Sequence, residues 1–206
     1  MNLDYTPSEL MAVAGSRELI DGEVVAVGLG LPVVASFLAK QTHAPNMTIL
    51  FELGVIDPQP IDQGVGLADP RVWYDANVLS SFVDILGEVL HRGRVDVGFL
   101  GGLEVDQFGN LNTSLVGDPK GRFRHMIGSG GANDIASCAK RTIIIMRHEE
   151  RKLKKAISFI TSPGYLTGGD SRSKAGLAGG PSRVITDKAI FSFHPETKQM
   201  MLTSIH

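Results

Sequence analysis

The sequence predicts an α/β protein with an open, mostly parallel sheet flanked by helices. Short β-branched runs alternate with segments of helical spacing along the chain. Many of the 24 glycines fall directly after apolar runs, where a strand must turn sharply into a loop. A length of 206 residues, 43% of them hydrophobic, is enough to bury a core without disulfide or metal staples.

Each element follows from local chemistry. Thr6-Pro7-Ser8-Glu9 reads as a capped helix opening before Leu10, Met11, Val13 and Ala14, and Asp21-Gly22 ends that segment. Residues 23–27 form a β-branched strand, and Gly28-Leu29-Gly30-Leu31-Pro32 then turns the chain into a helix over residues 32–40. A second short strand, residues 47–51, runs into Glu52-Leu53-Gly54 and the proline-rich Asp57-Pro58-Gln59-Pro60. Residues 82–90 have helical spacing with a stop at His91-Arg92-Gly93, and residues 95–100 read as a buried strand. Gly101-Gly102 and the turn Asp106-Gln107-Phe108-Gly109-Asn110 lead into a polar stretch that reaches Gly128. Strands are expected at residues 142–146 and 156–160, on either side of a charged patch. Residues 164–180, rich in glycine, predict a long surface loop or mobile lid, and residues 183–202 an antiparallel hairpin.

Composition excludes several function classes. Twenty basic against 22 acidic side chains give a net charge of −2, so no excess positive charge exists to draw nucleic acid or an anionic membrane. The single cysteine, Cys138, permits neither an internal disulfide nor a cysteine-rich zinc site, and it fits a reducing, cytoplasmic compartment. The first 22 residues lack the basic-then-apolar pattern of a signal peptide, and no apolar run approaches the roughly 20 residues of a membrane span. Six scattered histidines show no pair at ligand spacing, so no metal is expected. No third glycine completes a dinucleotide fingerprint, no Gly-Lys-Ser/Thr marks a P-loop, and no G-x-S-x-G elbow is present.

Two segments carry candidate chemistry. Glu52 lies between Ile49, Leu50, Phe51, Leu53 and Val55, at a strand's carboxyl end, where ligands of open α/β sheets gather. An acid there serves as nucleophile, general base or metal ligand, or is simply a solvated loop carboxylate. Gly128-Ser129-Gly130-Gly131-Ala132-Asn133-Asp134 precedes an apolar helical segment. Its N–H groups either converge as an anion-binding nest or make a tight turn that needs glycine for packing. The basic run Arg151, Lys152, Lys154 and Lys155 reads as a solvated face or as a contact for a ligand's phosphates.

Taken in order with Asn46-Met47-Thr48, the turn through Leu111-Asn112, and Thr161-Ser162-Pro163-Gly164, these motifs resemble the β subunit of family I CoA-transferases, in particular the glutaconate type. The resemblance spans nearly the whole chain and implies a single β-subunit domain over residues 1–206 with the CoA-transferase (NagB/RpiA-like) fold. It also implies that Glu52 is the nucleophile, that Gly128, Gly130, Gly131 and Ala132 form an oxyanion and CoA-binding segment, and that Gly30, Gly54 and Asn110 contact substrate. Coenzyme A is implied as a substrate rather than a permanently bound cofactor. The implied partners are an α subunit, in an α2β2 or larger assembly, and acyl-CoA and carboxylic acid substrates of the glutaconate, dicarboxylic or 3-oxo kind. Related acyl-CoA hydrolases and decarboxylases, or a catalytically silent acyl-CoA-binding subunit, are the alternatives, and relatives of those enzyme classes usually lack the glutamate. Leu53, placed where many relatives have a smaller or polar residue, and an earlier chain end, as in a C-terminally shortened domain, are the departures from the pattern.

Overall fold

A computed structural model describes residues 4–59, 66–118 and 121–206. Helix α1, Pro7–Ser16, opens with a capping box in which Thr6 Oγ1 accepts from the Glu9 amide and the Glu9 carboxylate accepts from the Thr6 amide. It stops at Ser16, before the Asp21-Gly22 signal. Strand β1, Val24–Val27, leads through the glycine turn into α2, Leu31–Thr42, and then β2, Thr48–Phe51. Two-residue strands β3, Val55–Ile56, and β4, Val78–Leu79, fold back along β2. The predicted helix at 82–90 is a π-helical turn over Asp84–Leu90. Ser80 and Ser81 donate to its first-turn Asp84, and those bonds hold the Asp84 carboxyl below the usual aspartate range.

Strand β5 is Val97–Gly101, followed by β6, Glu104–Asp106, and β7, Leu111–Asn112. The polar stretch before Gly128 contains an element its sequence did not signal, a hairpin of β8, Leu115–Gly117, and β9, Phe123–His125. Helix α3 is Ala132–Cys138 and β10 is Arg141–Ile145. No strand forms at residues 156–160. The pairing falls instead to β11, Leu153–Lys154, which lies alongside β6. The free edge of β10 is already taken by β12, Pro181–Ile185, and Phe159 and Ile160 stay exposed. The hairpin expected near the end becomes a meander of β12, β13, Ala189–Phe193, and β14, Met200–Ile205.

The glycine-rich segment 164–180 is an irregular, largely exposed loop, as expected. It contains a short helix α4, Ser171–Lys174, and Arg172, 3% exposed, anchors it. That guanidinium donates to the carbonyls of Pro163, Gly164, Ala178 and Ala136, the last at the carboxyl end of α3. A buried cation with no carboxylate partner among the described residues is tolerated here because carbonyl dipoles and the negative helix end satisfy it. Burial pulls its pKa below the usual arginine value.

The main sheet has nine strands in the order β14-β13-β12-β10-β5-β1-β2-β3-β4. Its five central members are parallel, and hairpins extend both edges in the antiparallel sense. Both faces are covered, so these strands read as continuous apolar runs. Val25, Val27, Ile49, Phe51, Val97, Phe99, Ile143 and Ile145 pack under α1 and α2, while Ala26, Leu50, Leu100 and Ile144 face α3 and the π-helical turn. Burying Phe51 and Phe99 contributes roughly 2–3 kcal/mol each. Gly98 lets α3 lie directly on β5, since a Cβ there would stand 2.5 Å from Ile135 Cγ2. In chain order the parallel strands run outward from β1 in two directions, to β2 on one side and to β5, β10 and β12 on the other. The carboxyl ends of β1 and β5 therefore border a topological switch point, the place where open α/β sheets bind ligands.

Candidate active site

Glu52 is the first residue beyond β2, and the fully buried Phe51 before it pins its backbone to the sheet. Its half-buried side chain reaches the turn before α3, where Oε2 accepts a hydrogen bond from the Gly131 N–H at 2.8 Å. The two residues are 79 positions apart in sequence. Contact at this range needs glycine: a Cβ on Gly131 would lie 2.3 Å from Glu52 Oε2, and one on Gly130 3.2 Å from Oε1. Gly130 also adopts φ +50°.

Around Glu52 opens a cavity of about 350 Å³. Gly28 and Leu29 line it from the end of β1, and residues 100–103 line it from the end of β5. Thr113, Ile127, Gly128, Ser129, Gly130, Ala132 and Ile135 complete the far wall, with Leu67 at the rim. Its walls are mostly apolar, as small-molecule sites are, with a few polar groups converging on one point.

The turn is held from both flanks. Thr113 Oγ1 donates to the Gly128 carbonyl at 2.7 Å, and the Gly128 N–H donates back to the Thr113 carbonyl at 3.0 Å. Thr161 Oγ1 accepts from the Thr113 amide, and the Thr161 carbonyl accepts from Asn133 Nδ2. A chain of short-range bonds thus fixes where the Gly131 amide points.

The structure brings Glu52, Gly128, Gly130, Gly131 and Ala132 together, but their amides do not all converge. The Gly128 N–H is spent on Thr113 and the Ala132 N–H on the Ser129 carbonyl at 3.0 Å, leaving the Gly131 N–H aimed at Glu52. The three residues expected to contact substrate lie elsewhere. Gly30 caps α2 with φ +87°, its carbonyl accepting from Val33 and Val34, one residue beyond the cavity-lining Leu29. Gly54 turns β2 into β3 at φ +112°, pressed so close to the Ser80 carbonyl that a Cβ would stand 2.3 Å from it. Asn110 is fully buried: its amide donates to Asp106 Oδ2 and the Leu166 carbonyl, and its oxygen accepts from the Gly164 and Leu166 amides. With that capacity used, Asn110 braces a loop.

Leu29, residues 100–103, Thr113 and Ile127 were not singled out from sequence. The usable signal was Gly101-Gly102 directly after a strand. Burial and the nearby Asp134 carboxylate push the Cys138 thiol pKa up, which disfavours its thiolate. Among the described residues no three His, Cys, Asp or Glu side chains converge as a metal cluster would.

A profile of the family described as Coenzyme A transferase matches residues 8–206, and the chain belongs to that family. It is 37% identical to one of the subunits of glutaconate CoA-transferase from Acidaminococcus fermentans, over 98% of this chain and 78% of the relative. It is likewise 37% identical to a 3-oxoadipate CoA-transferase subunit of Pseudomonas knackmussii, with the same shares covered. The crystal structure of the Acidaminococcus fermentans glutaconate enzyme superposes with a TM-score of 0.90 at 36% identity, over 98% of this chain and 80% of that one. The chain is therefore a CoA-transferase subunit with the fold of that enzyme.

Proposed function

We propose that this chain is the catalytic β subunit of a CoA-transferase in which Glu52 is the nucleophile that carries CoA between two acids. One observation supports this above the others: a carboxylate on the strand beside the sheet's switch point, held by a backbone N–H at an apolar cavity. A carboxylate in partial shelter from water attacks a carbonyl more readily than a hydrated one, and a fixed amide dipole holds it in line.

The reaction closes without water or a net proton. A Glu52 oxygen bonds to the thioester carbonyl carbon, the C–S bond breaks, and CoA leaves as thiolate, giving an acyl-glutamyl anhydride. The thiolate then bonds to the Glu52 carbonyl carbon and expels the first acid as its carboxylate, leaving a glutamyl-CoA thioester. A second carboxylate reverses both steps and restores Glu52. When a Glu52 oxygen leaves the Gly131 N–H to attack, that donor becomes free for the charge that develops on the tetrahedral oxygen, and Gly128, Gly130 and Ala132 keep that approach open.

In this reading CoA is a substrate and no cofactor stays bound. The acids are of the glutaconate or 3-oxo dicarboxylic kind, as the names of the relatives suggest. The described lining contains no lysine or arginine, so the counter-charge for a distal carboxylate comes from an α subunit, in an α2β2 or larger assembly. A reducing cytoplasmic setting fits the single thiol. The test is mass spectrometry of the α/β pair mixed with glutaryl-, 3-oxoadipyl- and acetyl-CoA. CoA is expected on the peptide containing Glu52 and absent from the Glu52→Gln pair, which should also lose turnover by at least about a thousandfold. Unmodified Glu52 during active exchange would refute the assignment.

A further inference from the structure

Arg172 does more than brace the glycine-rich loop, because its two terminal nitrogens reach different parts of the molecule. Nη1 donates to the Pro163 and Gly164 carbonyls, both at 2.8 Å. Nη2 donates to the Ala136 carbonyl at 2.7 Å, with the Ser137 carbonyl beside it at 3.5 Å. Nη2 and Nε also share the Ala178 carbonyl, so all five N–H groups of the fork are engaged. The Ala136 carbonyl, in the last turn of α3, is open to this bond because the Lys140 N–H, its helical partner by position, donates to Val95 instead. Both gripped segments hold the turn that faces Glu52. Helix α3 begins directly after Gly131, runs for seven residues and lies on β5 at Gly98. Residues 163–164 directly follow Thr161-Ser162, and Thr161 holds the Thr113 amide through its hydroxyl and Asn133 Nδ2 through its carbonyl.

We propose that Arg172 is a positioning residue for the reaction: its planar fork sets the distance between the carboxyl end of α3 and residues 163–164, and so fixes the Gly131 N–H relative to Glu52. This rests on the reading of Glu52 as nucleophile, and it names a residue that acts from outside the Glu52 cavity. Geometry rather than charge carries the role. The rigid guanidinium presents Nη1 and Nη2 to the two segments at a fixed separation, whereas a lysine ammonium holds its three donors on one atom and cannot span both. The contacts are contiguous. Arg172 binds the end of α3, and α3 leads back to the Gly131 turn; in parallel, residues 163–164 lead to Thr161, which binds Asn133 in the first turn of α3. A donor aimed at developing charge must keep its place within about 0.5 Å, so a small shift of α3 is felt in the chemistry before it is felt in binding. The neighbouring Ser171 supplies the contrast. Its hydroxyl braces the same loop through the Tyr165 and Gly168 carbonyls and, among the described residues, makes no hydrogen bond to α3 or to residues 163–164.

The test uses the complex co-expressed with its α subunit, with turnover expressed per folded molecule. Arg172→Lys should lower kcat about thirtyfold and leave KM for both substrates within about twofold, the signature of an interaction lost in the transition state alone. Arg172→Gln, which leaves no unpaired cation in the interior, should do the same. Ser171→Ala should keep the wild-type kcat while the loop loses stability. A double-mutant cycle on kcat between Arg172→Lys and Gly131→Ala shows whether Arg172 acts through the Gly131 amide. The double variant should then turn over within about threefold of Gly131→Ala alone, whereas a purely structural role multiplies the two losses. Asn133→Ala, at an exposed position, keeps the question answerable if the Arg172 variants do not fold. Cutting its link to Thr161 should lower kcat about fivefold with KM unchanged, and a wild-type kcat there would count against the proposal. Wild-type kcat in folded Arg172→Lys, an equal fall in Ser171→Ala, a rise of KM that matches the fall of kcat, or multiplied losses in the cycle would each overturn the positioning role while Glu52→Gln stays inactive. An active Glu52→Gln pair would instead overturn the nucleophile reading itself.

Discussion

Residues 106–112 and residues 128–133 are both polar turns with glycine, one on each side of the β8–β9 hairpin, and in sequence they look alike. In the first, the Asp106 carboxylate accepts from the amides of Phe108 and Asn110 and from Asn110 Nδ2, and Asn110 in turn binds the 164–166 loop. The Asp106 carboxylate and the Asn110 amide are thus partnered and buried. In the second, small residues leave space, and the Gly131 amide is turned toward a carboxylate from another part of the sheet. The difference teaches that a polar motif acts on a ligand only where its hydrogen-bonding capacity is left open toward a cavity. Where that capacity is consumed internally, the same residue types hold the fold.

Three perturbations separate the two turns. Gly131→Ala has the largest expected effect on chemistry. Its Cβ would fall 2.3 Å from Glu52 Oε2, and a flexible side-chain end yields before the backbone does. Turnover should drop about a hundredfold from misplacement of the nucleophile, with the melting temperature changed little. Steady-state kinetics beside thermal unfolding of the α/β pair would show it, and a fall in stability of the same size as the fall in activity would erase the contrast.

Asn110→Ala should do the reverse. It strips partners from the buried Gly164 amide, from the part-buried Leu166 amide and from one Asp106 oxygen, at a cost of about 3 kcal/mol. Denaturant titration should register that loss, while kcat per folded molecule moves far less than in Gly131→Ala.

The smallest effect is a pH dependence at Asp106. Burial raises its pKa above the ordinary 3.8, outweighing the bonds from Asn110 and Phe108 that lower it. Between 3.8 and the raised value the folded state holds more proton than the unfolded state, so this group favours folding at the acid end and loses that contribution as pH rises. Relative to Asp106→Asn, the wild type should gain stability as pH falls through that window. Melting curves of both proteins across the acidic range check the sign, and an unchanged difference would mean that Asp106 is not perturbed.

Much of the fold was legible along the chain. The capping box at Thr6, the glycine turn at Gly28-Leu29-Gly30, and the apolar runs of β2, β5 and β10 are local patterns, and strands buried on both faces announce themselves by unbroken hydrophobicity. The β8–β9 hairpin was not legible, because its strands are three residues each and its apolar Val116 and Phe123 are exposed, leaving no buried stripe to mark them. The 164–180 segment is the surface loop its glycines predicted, but the arginine whose five carbonyl partners brace it could not be read from composition. Sequence order placed Glu52 at a strand end, while the structural work of Gly30 at a helix cap, Gly54 in a tight turn and Asn110 in a buried hydrogen-bond cluster depends on contacts that no motif displays.

By its own chemistry the sequence determined the alternation of strands and helices, the acid at the end of an apolar strand and the run of small residues before α3, since each depends on neighbours within a few positions. Only the tertiary structure decided that β1 pairs with β2 on one side and β5 on the other, opening a crevice at the carboxyl ends of β1 and β5. The same packing decided that Gly131, rather than Gly128 or Ala132, turns its N–H to Glu52. A hydrogen bond across 79 residues is set by the register of whole strands and the seating of a helix on Gly98, and no local pattern carries that information.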